Sequence, residues 1–243
     1  MNLILDIGNT FIKVAVFNDD DLIFKSKISP EDFATEFQNL LNEYPNLKFS
    51  IISATGDIPQ GLVEQLESKL EVIHFSHESK INFKNGYKTP ETLGLDRIAL
   101  TTAAAGYYPS RNVLIIDAGT CITYDFLDAN NIYHGGAISP GIQMRFNAMH
   151  NFTANLPLIK QATADVGFLG KTTRESMEVG VLKSIQYEID GFIEDYLADY
   201  EDLTVILTGG DYQLLSASIK NSIFATSNFL LQGLNKILQL NIN

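Results

Sequence analysis

The chain has 243 residues with 17 lysines and arginines against 29 aspartates and glutamates, a formal net charge of −12, which argues against a general nucleic-acid surface or an anionic-membrane patch and favours a small-molecule partner. One cysteine and four histidines leave no disulfide framework and no zinc spacing, as a reducing cytoplasm would favour. No apolar run approaches the roughly 18 residues a spanning helix needs, and no basic region precedes a cleavage site, so a soluble cytoplasmic protein is expected.

The first seventeen residues, MNLILDIGNTFIKVAVF, place two apolar β-branched runs around Asp6-Ile7-Gly8-Asn9-Thr10 and predict strand, tight turn, strand. Gly8 can adopt positive φ and let backbone approach a ligand, Asn9 tolerates the same conformation, and Thr10 adds a hydroxyl. Successive amides can then face an anion such as a phosphate. Asp6 closes a buried strand and Lys13 stands alone among apolar residues, so both charges need partners. An ordinary hairpin whose Asp caps its own turn would read the same way. Asn18-Asp19-Asp20-Asp21 is a solvated hairpin turn. Ser29-Pro30-Glu31-Asp32 supplies an N-cap and a first-turn proline for a helix with Phe33, Phe37, Leu40, Leu41 and Tyr44 on one face.

Lys48–Thr55 reads as a strand, Pro59–Leu70 as a helix and Glu71–Ser76 as a strand, an alternation that predicts an α/β domain. Ile81–Pro90 is a polar loop carrying Tyr87. Thr92-Leu93-Gly94-Leu95-Asp96-Arg97 opens an apolar helix to Tyr108. Capping accounts for Asp96 but not for Arg97, a cation in a first turn, where an anionic ligand would compensate it.

Leu114–Asp125 repeats the opening pattern of apolar strand, Asp-x-Gly, Thr and returning strand, with Asp117 matching Asp6 at an offset of 117 − 6 = 111. The offset divides the chain into halves, 1–112 and 113–243, as an internal duplication would. Neither strand is followed by G-x-x-x-x-G-K-[ST], and no G-x-G-x-x-G is present. Gly135-Gly136-Ala137-Ile138-Ser139-Pro140-Gly141 implies close backbone approach. A short helix over Gly141–His150, an irregular connection over Asn151–Gly170 and a long helix from Thr173 to about Tyr200 follow. Leu203–Leu207 is a buried strand delivering Thr208-Gly209-Gly210-Asp211, and a closing helix begins near Asn228.

Asp6-x-Gly8-Asn9-Thr10-x-x-Lys13 followed by Asp117-x-Gly119-Thr120-x-x-Thr123-x-Asp125 resembles the paired phosphate motifs of the acetate and sugar kinase, heat-shock chaperone and actin superfamily. Asn-Thr-x-x-Lys, Gly94-x-Asp96-Arg97, Gly-Gly-x-Ile-x-Pro-Gly and Leu-x-x-Gly-Leu near the C-terminus narrow the resemblance to type III pantothenate kinases, over nearly the whole chain.

The resemblance implies two similar ribonuclease-H-like (actin-like ATPase) domains, 1–112 and 113–243, with mixed sheets flanked by helices and a nucleotide cleft between them. It implies ATP-dependent phosphorylation of pantothenate, the first step toward coenzyme A. The ATP phosphates would be held by Asp6, Ile7, Gly8, Asn9, Thr10, Phe11, Ile12 and Lys13 and by Thr120, and the adenosine by Gly209 and Gly210. Tyr87, Gly94, Leu95, Asp96 and Arg97 would contact pantothenate, with Asp96 as catalytic base, joined by Thr173 of a neighbouring subunit in a homodimer. Asp117 would hold a monovalent cation, K⁺ or NH₄⁺, and Mg²⁺ would accompany the nucleotide. Cys121 departs from the small apolar residue expected there. A catalytically silent nucleotide-binding regulator of the same fold is the alternative; actin- or chaperone-like ATPases are longer chains.

Overall fold

The computed structural model describes residues 1–242 other than 9, 55, 57, 60, 164 and 165. The apolar run at the N-terminus forms β1 (Asn2–Ile7), buried at every position. Alternate residues of a strand face opposite sides, and Leu3, Leu5 and Ile7 join one hydrophobic cluster, while Asn2 on the other face donates to Asn235 at 2.8 Å. β2 (Ile12–Asn18) and β3 (Asp21–Ile28) return antiparallel, and the turn joining them sets Asp19 at φ 51°. β4 (Phe49–Ala54) and β5 (Glu71–His74) run parallel to β1, giving the order β3-β2-β1-β4-β5.

α1 (Phe33–Glu43) and α2 (Leu62–Glu67) supply Phe33, Phe37, Leu40, Leu62 and Leu66 to the Leu3 face. Ser29 makes no side-chain cap, contrary to expectation: its hydroxyl donates to Asp32 at 2.8 Å, and a 3₁₀ turn over Pro30–Asp32 leads into α1. α2 is shorter than expected because Gly61, at φ 78°, delays its start, while Ser68 donates to the Gln65 carbonyl at its end.

β6 (Lys84–Asn85) lies inside the segment expected to be loop and pairs with a strand of the second sheet. α3 (Leu95–Tyr107) follows. β7 (Asn112–Ala118), β8 (Cys121–Leu127) and β9 (Ile132–Pro140) form an antiparallel meander. The segment carrying Gly135 and Gly136 is strand, and the close backbone approach expected there is present: a Cβ at Gly136 would fall 1.5 Å from the Tyr124 carbonyl oxygen. α4 (Ile142–Asn151), α5 (Thr173–Asp199), β10 (Leu203–Thr208), α6 (Tyr212–Ser216), β11 (Phe224–Ala225) and α7 (Phe229–Asn241) complete the chain.

The second sheet runs β11-β10-β7-β8-β9-β6, with β10 and β11 parallel to β7. Apart from β6 this is the strand order of the first sheet, with β7 in the place of β1. α4, α5 and α6 bury Phe146, Ile185, Ile189 and Leu215 against Leu114, Ile116 and Tyr124.

The compact units differ from halves divided at residue 112. The first comprises Met1–Phe83, Lys88–Tyr107 and Asn228–Asn243, and the second Lys84–Tyr87 and Tyr108–Ser227. α7 joins the first unit because Gly233 lets it meet α3 backbone to backbone: a Cβ there would lie 2.0 Å from the Ala99 carbonyl oxygen. Fully buried Asn235 also donates to the Asp19 carbonyl at 2.7 Å. Among the described residues no helix is long and apolar enough to cross a membrane.

Gly233→Ala is expected to cost about 1–3 kcal/mol by overpacking, read as a lowered denaturant midpoint. Stability equal to wild type would show that the α3–α7 approach is not tight.

Candidate active site

The first turn joins β1 to β2 through a hydrogen bond from the Gly8 amide to the Phe11 carbonyl at 3.1 Å. Asp6 and Lys13 lie opposite each other in the ladder, and the ammonium donates to the carboxylate at 2.8 Å. The two charges that the sequence left seeking partners thus neutralise each other. Lys13 is also paired across the ladder with Lys27, whose ammonium lies 4.2 Å from the centroid of the Phe11 ring. Like charges directly opposite are destabilising, so two lysines beside a tight turn favour an anion there. Lys27 escaped the sequence reading because it occupies an ordinary exposed position of an alternating strand. Ile7 and Ile12 are core residues, so a ligand would meet only their backbone, whereas Thr10 and Phe11 are exposed. Asn9 lies outside the described residues.

The second turn is built from several close backbone approaches. The Gly119 amide donates to the Cys121 carbonyl at 2.9 Å, the Gly141 amide to the Thr120 carbonyl at 3.0 Å, and the Asp211 amide to the Ala118 carbonyl at 2.9 Å. A Cβ at Gly141 would lie 2.1 Å from the Gly119 carbonyl oxygen. Gly209, at φ 98°, is fixed twice: its backbone conformation suits glycine, and a Cβ would lie 2.3 Å from the Ala118 carbonyl oxygen and 2.5 Å from Asp117 Oδ1. Gly210 is exposed with nothing within 4 Å of an added Cβ. The structure therefore brings Asp117, Thr120 and Gly209 together. Burial pushes the Asp211 carboxyl above its usual range.

Thr123 stands opposite Asp117 in the β7–β8 ladder, the place that Lys13 takes opposite Asp6. Its hydroxyl is buried and has no hydrogen-bond partner among the described residues. A carboxylate and a neutral hydroxyl on one face of a hairpin are hard oxygen donors of the kind alkali and alkaline-earth cations take, so these residues fit a monovalent cation. Among the described residues no group of three or more His, Cys, Asp and Glu could hold a metal ion.

Behind the second turn, Arg145 of α4 donates from Nε to the Pro140 carbonyl at 2.8 Å, from Nη1 to Ser184 at 3.0 Å, and from Nη2 to Ser139 at 2.9 Å and Glu188 at 2.5 Å. Tyr124 donates to Glu188 at 2.8 Å. Burial raises the Glu188 carboxyl, but hydrogen bonds from Arg145, Ser139 and Tyr124 outweigh it and hold the group below its usual range. Burial and Glu188 push the Tyr124 phenol up. Sequence reasoning missed this network, since one Arg and one Glu on separate helices carry no spacing signature.

In the first unit, Gly94 precedes α3, and a Cβ there would lie 2.4 Å from Asp96 Oδ1. That space lets the Asp96 carboxylate fold back onto the Arg97 amide at 2.9 Å, satisfying one of the helix's unpaired first-turn donors. Leu95 and Asp96 are partly exposed and Arg97 is buried. Tyr87 belongs to the second unit, where its amide donates to Asn85 at 2.9 Å and its ring covers Gly135. Thr173 is the exposed first residue of α5, with Thr172 as its N-cap accepting from the Glu175 amide at 3.2 Å.

Among solved structures, a Campylobacter jejuni protein named for the Baf family of transcriptional activators is 24% identical, with TM-score 0.60 over 99% of each chain. A glucokinase from an Antarctic psychrotroph is 14% identical, with TM-score 0.50 over 98% of each chain. The repeated sheet with its paired aspartate turns is the two-sheet α/β fold that these structures share. The type III pantothenate kinase family profile matches residues 2–195. Type III pantothenate kinases of Christiangramia forsetii and Flavobacterium psychrophilum are 48% and 43% identical, covering 99% and 98% of this chain and 99% of each relative. The chain belongs to the type III pantothenate kinase family.

Gly209→Ala is expected to introduce about 1–3 kcal/mol of backbone strain and to weaken binding of a fluorescent adenine nucleotide, whereas Gly210→Ala should fold like wild type. Equal thermal unfolding of the two variants would show that the Gly209 approach tolerates a side chain.

Proposed function

We propose that the enzyme transfers the γ-phosphoryl group of ATP to the primary hydroxyl of pantothenate, giving 4'-phosphopantothenate, the first step of coenzyme A synthesis. The observation that carries this reading over a silent regulator of the same fold is the intact α3 start, where Gly94 makes room for a partly exposed Asp96 carboxylate.

Catalysis on this reading is positioning with charge stabilisation. Backbone from Asp6 to Lys13, with the Lys13 ammonium, holds phosphate oxygens. Thr120 serves the second turn, and Gly209 and Gly210 lie along the adenosine. Tyr87, Gly94, Leu95 and Arg97 bind pantothenate, whose carboxylate suits a guanidinium. Asp96 accepts the hydroxyl proton as the oxygen attacks the γ-phosphorus and the bond to the β–γ bridging oxygen breaks, releasing ADP. Mg²⁺ with the nucleotide would supply charge neutralisation. Asp117, with the Thr123 hydroxyl, would hold K⁺ or NH₄⁺, a mobile counterpart of the fixed cation Lys13.

Thr173 completes the pantothenate site of a neighbouring subunit in a homodimer. Exposed Ile138, Phe152, Phe168 and Leu169 in segments flanking α4 and preceding α5 support such an interface. A monomeric mass by light scattering, at a concentration where activity is full, would remove the shared site.

Purified protein should release ADP from ATP only when pantothenate is present; substrate-independent hydrolysis, or nucleotide binding without turnover, would replace the reading with an ATPase or a regulator. A positioned base contributes roughly 10²- to 10⁴-fold, so Asp96→Asn should lower kcat by about that factor. Its amide oxygen can still accept the Arg97 N–H, so the helix start survives, and normal turnover in this variant would exclude Asp96 as the base. Potassium should activate over sodium at equal ionic strength, and equal rates across a titration would remove the monovalent cation from Asp117.

A further inference from the structure

Arg145 is embedded in a way that stability alone does not explain. A partly buried ion pair loses solvation on folding and is often matched by an apolar replacement, yet this guanidinium reaches four acceptors on β9, α5 and the β9–α4 junction. The acceptor of its Nε is the Pro140 carbonyl. That carbonyl and the Gly141 amide are the two ends of one peptide group, and the Gly141 amide donates to the Thr120 carbonyl at 3.0 Å. Because a peptide group is planar, fixing its oxygen fixes the direction of its N–H. Gly141 also sits so close to the second turn that a Cβ would collide with the carbonyl oxygens of Gly119 and Thr120. A rotation of the Pro140–Gly141 peptide would therefore move the turn.

We propose that Arg145 is a positioning residue for nucleotide phosphate, acting through the Pro140–Gly141 peptide on the Gly119-Thr120 turn. The inference rests on the reading of that turn as a phosphate site. Ser139 and Glu188 hold Nη2, and Ser184 holds Nη1, so three further acceptors keep the guanidinium in plane while Nε does the positioning. Glu188 is in turn held by the Tyr124 hydroxyl, which ties the device to β8, the returning strand of the same hairpin.

Displacement of a reacting group by about 1 Å can cost roughly 100-fold in rate, so Arg145→Gln should lower kcat/KM for ATP by about 10- to 100-fold while KM for pantothenate stays within about twofold. Arg145→Lys keeps a cation beside Glu188 but lacks the in-plane fork of donors; it should fold and show the same ATP-selective loss. Ser184→Ala, which removes only the α5 side of the hold, should have the smallest effect. If Arg145→Gln does not fold, the lysine variant decides. An equal loss toward both substrates, or normal constants in the folded fraction of either variant, overturns the proposal. Binding of a fluorescent ATP analogue is measured in parallel: wild type that binds the analogue without pantothenate-dependent turnover defeats the kinase reading but not this one, whose support is then weakened analogue binding by Arg145→Lys. Wild type that binds no nucleotide defeats both.

Discussion

A carboxylate stands one residue from the end of β1 and of β7, and much of the surrounding structure follows from what is placed opposite it. In the first hairpin the opposite residue is Lys13, whose ammonium lies 2.8 Å from Asp6. In the second it is Thr123, a neutral hydroxyl opposite Asp117. A carboxylate in a partly buried strand must be paired or hydrogen-bonded. The two hairpins therefore differ at the position facing the carboxylate, with a built-in cation in one and a neutral hydroxyl in the other.

The second turn is built from close backbone approaches, which explains where glycine is required. Gly141 and Gly209 each bring a second segment within contact distance of Gly119, Thr120 or Ala118, closer than any Cβ would permit. The amides of Gly141 and Asp211 then take up the carbonyls of Thr120 and Ala118. With its carbonyls bound from two sides, the second turn is held from β9–α4 and from β10–α6. A turn held in this way is fixed before any ligand arrives, the condition under which preorganised donors stabilise charge.

The hairpins and their repetition were legible because they are local patterns: β-branched runs around Asp-x-Gly and a constant offset between the two. What escaped depends on contacts distant in sequence. Nothing local says that α7 packs on α3 in the first unit; that follows from Gly233 meeting Ala99. β6 is two residues in a polar loop and exists only because β9 offers an edge to pair with. The mutual neutralisation of Asp6 and Lys13 required ladder register, and the Arg145–Glu188 pair joins residues 43 apart in sequence on two helices. Gly94, read as part of a motif, has a steric role that appears only when the Asp96 carboxylate is seen folded onto the Arg97 amide.

The net charge of −12 poses a problem for a protein that handles a polyanionic nucleotide, since the summed field of the chain opposes approach of the ligand. On the proposed reading the turns answer it locally. Backbone amides carry fixed partial positive charge without side-chain entropy to lose, Lys13 and Lys27 add two ammonium groups beside the first turn, and the donor set at Asp117 and Thr123 suits a cation recruited from solution. Beyond a Debye length of roughly 8 Å at physiological salt, exposed acidic residues are largely screened. An acidic surface and the proposed phosphate site are thus compatible as long as the positive charge is concentrated at the turns, where Gly8 and Gly119 stand.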